Sequence, residues 1–246
     1  ELDAATGDFS GDVDVDGTLE ADAYTIEGAA FIKVGGTDFT NSIIIGHATT
    51  GTLDAAESNT AVGFAALDAI TSGDYNTAVG QGSLTTLTTS QNNVAVGRNA
   101  GRNVTTGIGE HVYLGDSTGY YNATGVGNTA VGYLAMTGAS GQNNNYNTTV
   151  GDRSLRVITT GDYNISLGHL SGDNITSGSG NVVIGKADVS SATADDQLSI
   201  SDGEDGSVVW MTGDSSANVT FAADVTLGDD LHLDSDAAVL KFGDDG

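Results

Sequence analysis

The stretch GDYNTAVGQGSLTTL at residues 73–87 has a near double in GDYNISLGHLSGDNI at residues 161–175. A catalytic site needs one constellation of unlike groups, whereas a motif that returns at a fixed step is the mark of a stacked structure. Aligned on the glycine after the aliphatic residue, the repeat is found at Gly46, Gly63, Gly80, Gly97, Gly115, Gly132, Gly151, Gly168 and Gly185, with steps of 17, 17, 17, 18, 17, 19, 17 and 17 residues.

Each column of this alignment has its own chemistry. Just before the glycine stand Ile45, Val62, Val79, Val96, Leu114, Val131, Val150, Leu167 and Ile184, all branched aliphatics. Two residues further back stand Ile43, Thr60, Thr77, Val94, Val112, Thr129, Thr148, Ile165 and Val182, all β-branched. Positions two apart lie on one side of a strand, so these columns share a face. Four before the glycine the residue is Asn59, Asn76, Asn93, Asn128, Asn147, Asn164 or Asn181, with Ser42 and His111 as exceptions. Stacked asparagines bond coil to coil as a ladder, and asparagine tolerates the turn that opens the strand. After the glycine come a small residue (Ala66, Ser83, Ala100, Ala135, Ser154, Ser171) and, four places later, a second aliphatic column running from Leu53 to Ile175. Each coil reads as two short strands joined by two glycine turns.

The expected fold is therefore all-β: a parallel β-solenoid of nine coils of about 17 residues, spanning residues 42–197 and, at about 4.8 Å per strand, on the order of 40 Å long. One coil buries too few aliphatic side chains to offset the ordering of its backbone, so stability must come from stacking. So thin a core also predicts a second covered face and the association of several chains. Residues 1–41 and 198–246 are expected to be β-rich flanks, because FSGDVDVDGTL (9–19) and FAADVTLGDDL (221–231) match each other in a looser, alternating pattern.

Composition agrees with this reading. The 246 residues include 36 glycines, no proline and no cysteine. Proline removes a ladder donor, so its absence suits continuous sheet; without cysteine there is no disulfide framework or thiolate metal site. Asp and Glu outnumber Lys and Arg 33 to 7, for a net charge of −26, which argues against nucleic acid or an anionic bilayer as partner and favours a saline milieu that screens self-repulsion. No apolar run is long enough to span a bilayer or act as a signal peptide. With Glu1 first and KFGDDG last, the chain is expected to be processed or part of something longer.

The motif N-[TV]-A-V-G with a small residue three places on, as in NTAVGFAAL, NTAVGQGSL and NTAVGYLAM, resembles the head repeats of YadA-like trimeric adhesins, and the longer unit resembles repeats in tail fibres and appendages of marine bacteriophages. The flanking GDVDVDGTLEADAYTIEG and LHLDSDAAVLKFGDDG also resemble phage fibre segments. The resemblance implies a left-handed β-roll, three chains about one axis, and a non-enzymatic role as rigid spacer and host-attachment element in a virion appendage. The implied partners are the chain itself, other virion proteins, and a host receptor or glycan, with no membrane insertion. A bacterial trimeric autotransporter-like adhesin head is the alternative.

Other motifs have plainer readings. GNVVIGKA (180–187) has the opening of a phosphate-binding loop, but Ala187 stands where a magnesium-binding Ser or Thr is required, and GVGNTA (125–130) enters a strand where a dinucleotide fingerprint needs a helix. DVDVDG (12–17) imitates a calcium loop whose twelfth place is Ala23 instead of Glu, so it reads as an acidic strand with at most weak divalent-cation binding. No cofactor is expected. His47, His111, His169 and His232 are dispersed, and Arg98, Arg102, Arg153 and Arg156 are expected to pair with acidic residues between chains. The loop TGASGQNNNYN (137–147) is the expected contact surface. An ice-binding solenoid is disfavoured by the mixed column that follows the β-branched one, and a glycan-cleaving tailspike is the enzymatic alternative.

Overall fold

The computed structural model describes residues 24–26, 29–34, 38–46, 51–140 and 143–225. These residues form no α-helix. Sixteen strands occur, fourteen of them in one sheet. Ten are parallel and in register: Ile43–Ile45 (β4), Thr60–Val62 (β6), Thr77–Val79 (β7), Val94–Val96 (β8), Val112–Leu114 (β9), Thr129–Val131 (β10), Thr148–Val150 (β11), Ile165–Leu167 (β12), Val182–Ile184 (β13) and Leu198–Ser201 (β14). Consecutive parallel neighbours, each one coil on in sequence, make the chain a β-solenoid. Antiparallel strands close the sheet at both ends: Tyr24–Ile26 (β1) and Ala29–Val34 (β2) before β4, and Val209–Gly213 (β15) and Val219–Phe221 (β16) after β14.

Two features differ from the sequence expectation. The parallel stack continues for a tenth strand, β14, which escapes the glycine alignment because Ser201 and Gln197 stand where the other coils have Gly and Asn. Each coil also contributes one regular strand, not two. Apart from the short parallel pair Phe39–Thr40 (β3) and Ala56–Glu57 (β5), the far side is a series of turns that still bond coil to coil, as in Leu67 N–H to Ser83 O and Leu84 N–H to Ala100 O. Left-handed residues make those turns, among them Leu67, Leu84 and Leu155 with φ of 54°, 48° and 49°. This costs about 1 kcal/mol each and is offset because all three side chains are fully buried.

The glycine that ends each strand has a φ between 94° and 144° in all nine coils, a region closed to side-chain-bearing residues. Stacking closes it further: a Cβ on Gly151 would lie 2.1 Å from the carbonyl oxygen of Gly168, and one on Gly97 would lie 2.3 Å from that of Gly115. The glycines form a file in which backbone rests on backbone.

The interior is lined by the middle residue of each strand, Ile44, Ala61, Ala78, Ala95, Tyr113, Ala130, Thr149, Ser166, Val183 and Ser199, and by the Leu and Ile columns of the turns. Most of the strand residues are small because the coil is narrow. Tyr113 is the largest of them, and its ring takes the room left by Gly101 and Gly119, where a Cβ would come within 2.9 and 2.5 Å of it.

Candidate functional site

The asparagines lie inside the solenoid and hold its coils in register. All seven are fully buried. The Oδ1 of each accepts the backbone N–H of the residue one coil on, at 3.0 Å from Asn76 to Asn59 and 2.9 Å from Asn164 to Asn147, for example. Where that residue is another Asn, its Nδ2 donates to the same oxygen. A second Nδ2 bond reaches a turn carbonyl, such as Gly161 O from Asn147 and Gly178 O from Asn164. The exceptions join the ladder. Ser42 Oγ accepts from Asn59 N, His111 Nδ1 accepts from Asn128 N at 3.2 Å, and Gln197 donates to Asn181 Oδ1 through both its backbone and its amide nitrogen.

A second ladder, not anticipated from the sequence, runs six positions before the glycine. Asp74 Oδ1 accepts from Glu57 N, Asn145 Oδ1 from Val126 N, Asp162 Oδ1 from Asn145 N, Ser179 Oγ from Asp162 N, and Asp195 Oδ1 from Ser179 N. Here the acceptor belongs to the later coil, so the two ladders run in opposite directions. The signal was present in the recurrent GDYN: its Asp and its Asn each tie the turn to a different neighbour.

His111 and Tyr113 form a buried polar fault in this regular interior. Their rings stack at 4.9 Å and 17°, and Tyr113 Oη accepts from Asn122 Nδ2 at 3.2 Å. The His111 Nε2–H faces the Gly125 carbonyl, the equivalent of the acceptor an Asn would use, without closing a hydrogen bond of good geometry. Burial holds its imidazole down at about 4, against a smaller opposing effect of Gly125, and pushes the Tyr113 phenol up.

The outward side of the parallel sheet is apolar along the whole stack. The two columns flanking the buried middle residue point outward from β4 to β14, and of their twenty residues sixteen are Val, Ile or Leu and four are Thr. None is charged. Ile165, Val150 and Val96 are 43%, 42% and 40% exposed. The face continues into the antiparallel end, where Ile200 pairs with Met211 and Met211 with Phe221.

Beside this face a rim of exposed tyrosines marks the turn that opens the strand: Tyr75, Tyr146 and Tyr163, at 55%, 48% and 61% exposure. Tyr146 lies in the 137–147 loop, whose described tip residues Ala139, Ser140 and Asn143 are exposed.

The remaining candidates disperse. Arg98 pairs with Asp116 and Arg156 with Asp173 between successive coils of one chain; Arg102 lies over Tyr120 and Arg153 over Tyr133. Residues 180–187 are a ladder turn and β13, with Asn181 and Val183 buried, and residues 125–130 lead into β10, so neither cradles a phosphate at a helix start. Residues 12–17, His47 and His232 lie outside the described residues. Among the described residues no cluster of three or more His, Cys, Asp or Glu side chains is placed to hold a metal ion, and no helix is long and apolar enough to cross a membrane. Comparison with protein-family models, curated proteins and solved structures returns no match.

Proposed function

We propose that the chain is a trimeric, non-enzymatic spacer and attachment module of a phage tail fibre or similar virion appendage, with the left-handed coil that the repeat resemblance implies. One observation carries the reading. A chain with a net charge of −26 keeps an outward sheet face free of charge across ten consecutive strands. Left in water, that face is an extended apolar strip of the kind that marks an interaction surface. Three copies turned inward about one axis cover it along its length, leaving the acidic turns and loops outside. Such a rod resists fraying because its ladders are closed and both sheet ends carry antiparallel strands, and these are properties a spacer needs.

The test is native mass in solution. Three times 24.7 kDa is expected at micromolar concentration, and Leu167→Asp, which sets a carboxylate on the face without touching the ladders, is expected to lower the mass to that of one chain. A wild-type monomer would overturn the proposal.

One alternative gains from the structure. The mixed column that disfavoured ice binding faces inward, so the outward array is the regular one. Only four of its twenty residues are threonine, and it suits contact between copies better. Thermal hysteresis of the purified protein separates the two.

A further inference from the structure

The position five before the strand glycine is left-handed throughout the stack, and glycine and asparagine are the residues that this backbone favours. Gly127, Gly180, Asn41 and Asn92 follow the rule. Six of the ten residues break it: Ser58, Glu110 and Asp196, and Tyr75, Tyr146 and Tyr163, which hold φ of 58°, 55° and 59° while their rings stand exposed. Strain of about 1 kcal/mol per residue is not offset by burial, as it is at the turn leucines. Strained backbone that presents an exposed side chain is a pointer to use.

Two of the three tyrosines act together. Tyr146 and Tyr163 stack with centroids 5.2 Å apart and planes 16° from parallel. Tyr146 leans toward the preceding coil, where a Cβ on Gly127 would meet its ring at 2.7 Å. The other face of Tyr163 looks toward the following coil, where Gly180 has no side chain of its own and the Asp196 side chain leans back over it, its Oδ1 2.4 Å from where a Cβ on that glycine would lie. The Asp162 side chain is held by the second ladder through Oδ1, which accepts from Asn145 N at 2.6 Å and Asn145 Nδ2 at 3.1 Å, and this leaves its Oδ2 outside the ladder.

We propose that Tyr146 and Tyr163 form a docking platform for an uncharged glycan chain. The reading rests on the attachment role proposed above and names its ligand class. A flat, rigid, amphipathic ring pair offers contact area at low entropic cost, and the C–H face of a pyranose matches it in shape. Carboxylates at the edge accept from sugar hydroxyls. Their charge, with the −26 of the whole chain, repels sulfated or sialylated chains.

The experiment uses the full chain on an array of neutral oligosaccharides (glucans, mannans and N-acetylated chito-oligomers) with heparin fragments and sialylated glycans alongside, and native mass is measured on the same samples. Retention on at least one neutral glycan and none on the acidic ones is expected. Tyr163→Asn and Tyr146→Asn are expected to weaken retention about tenfold each, the loss of roughly one stacking contact. Because asparagine suits the left-handed backbone, both variants keep or raise the melting temperature. Tyr75→Asn, with the same backbone and no stacked partner, leaves retention unchanged. The platform is overturned by wild type that holds no neutral glycan, by retention indifferent to Tyr163, or by a preference for acidic chains. A change of native mass in Tyr163→Asn also overturns it, because the tyrosines then belong to the contact between copies. A trimer without glycan retention removes the platform and leaves the fibre module; a monomer that retains glycan does the reverse.

Discussion

His111 is the one imidazole in the asparagine ladder, and it does the work of an amide with half the means. Its Nδ1 accepts as an Asn Oδ1 would, which fixes the proton on Nε2 and forbids a second proton on Nδ1. The folded state holds the group at about 4, below the ordinary histidine value of about 6.5, so the unfolded chain binds more protons between those values. Stability from this site is complete above about pH 6.5, falls as the pH drops toward 4, and levels off below; the full loss is about 3 kcal/mol. Asp202, held at about 2 chiefly by the Gly206 amide, acts in a lower window: its contribution is present above the ordinary carboxylate range and is lost as the pH falls through 2. His111→Asn restores the amide and removes the first window. Thermal melts at pH 8 and 4.5 are expected to show variant and wild type close together at the higher pH and the variant ahead by about 2 kcal/mol at the lower. A neighbouring substitution tests the ladder itself. Asn164 donates to Asn147 Oδ1 and Gly178 O and accepts twice from Asn181. Asn164→Asp keeps the acceptor, loses both donors and sets a buried carboxylate against two oxygens. At pH 8 it is expected to cost at least 3 kcal/mol, more than Asn164→Ala, and the order narrows as acid protonates the new carboxyl.

Within one coil, the strand and its terminal glycine are the unit that stacking selects. Gly151→Ala drives a Cβ into the Gly168 carbonyl at 2.1 Å with φ at 144°, and since both obstacles are backbone, nothing can swing aside. A loss of about 4 kcal/mol or more is expected, seen in hydrogen exchange as opening centred on β11 and β12. Gly203→Ala, with nothing within 4 Å of the added Cβ, is the control and should melt with wild type. The sequence showed the period, the strand positions and the glycine file, because each is set by a contact that recurs at every step. It did not show which way the strand faces. Val62 and Thr60 must share a side, but alternation cannot tell the inside from the outside, and the usual rule that larger apolar residues are buried misleads here: the coil is narrow enough to want Ala61 within. β14 was hidden because Gln197 takes the place of Asn in the ladder and Ser201 stands where the other coils have Gly. The tyrosine rim was visible only as the Tyr before the ladder Asn, in GDYN and in NNNYN, because exposure and ring stacking depend on which coils put tyrosine on successive turns.

At the scale of the whole molecule the solenoid behaves as a one-dimensional crystal, and its length is adjustable in units of one coil. Deleting residues 165–181 removes 17 residues and joins Asn164 directly to Val182. Asn164 then occupies the rung that Asn181 held, with Asn147 before it and Gln197 after it, and every surviving strand finds a neighbour of the same register. If each coil is stabilised only by the coils beside it, the loss of one leaves the rest intact. The variant should fold, with a melting temperature within a few degrees of wild type, and small-angle scattering should show a rod shortened by about 4.8 Å. Deleting residues 165–173, about half a coil, removes fewer groups but shifts every later strand against the ladders, moving outward aliphatics inside and burying polar turns. That protein should be far less stable than the one with the larger deletion. If the ordering is reversed, stability depends on total buried surface and not on register, and the stacked-coil account of this chain fails.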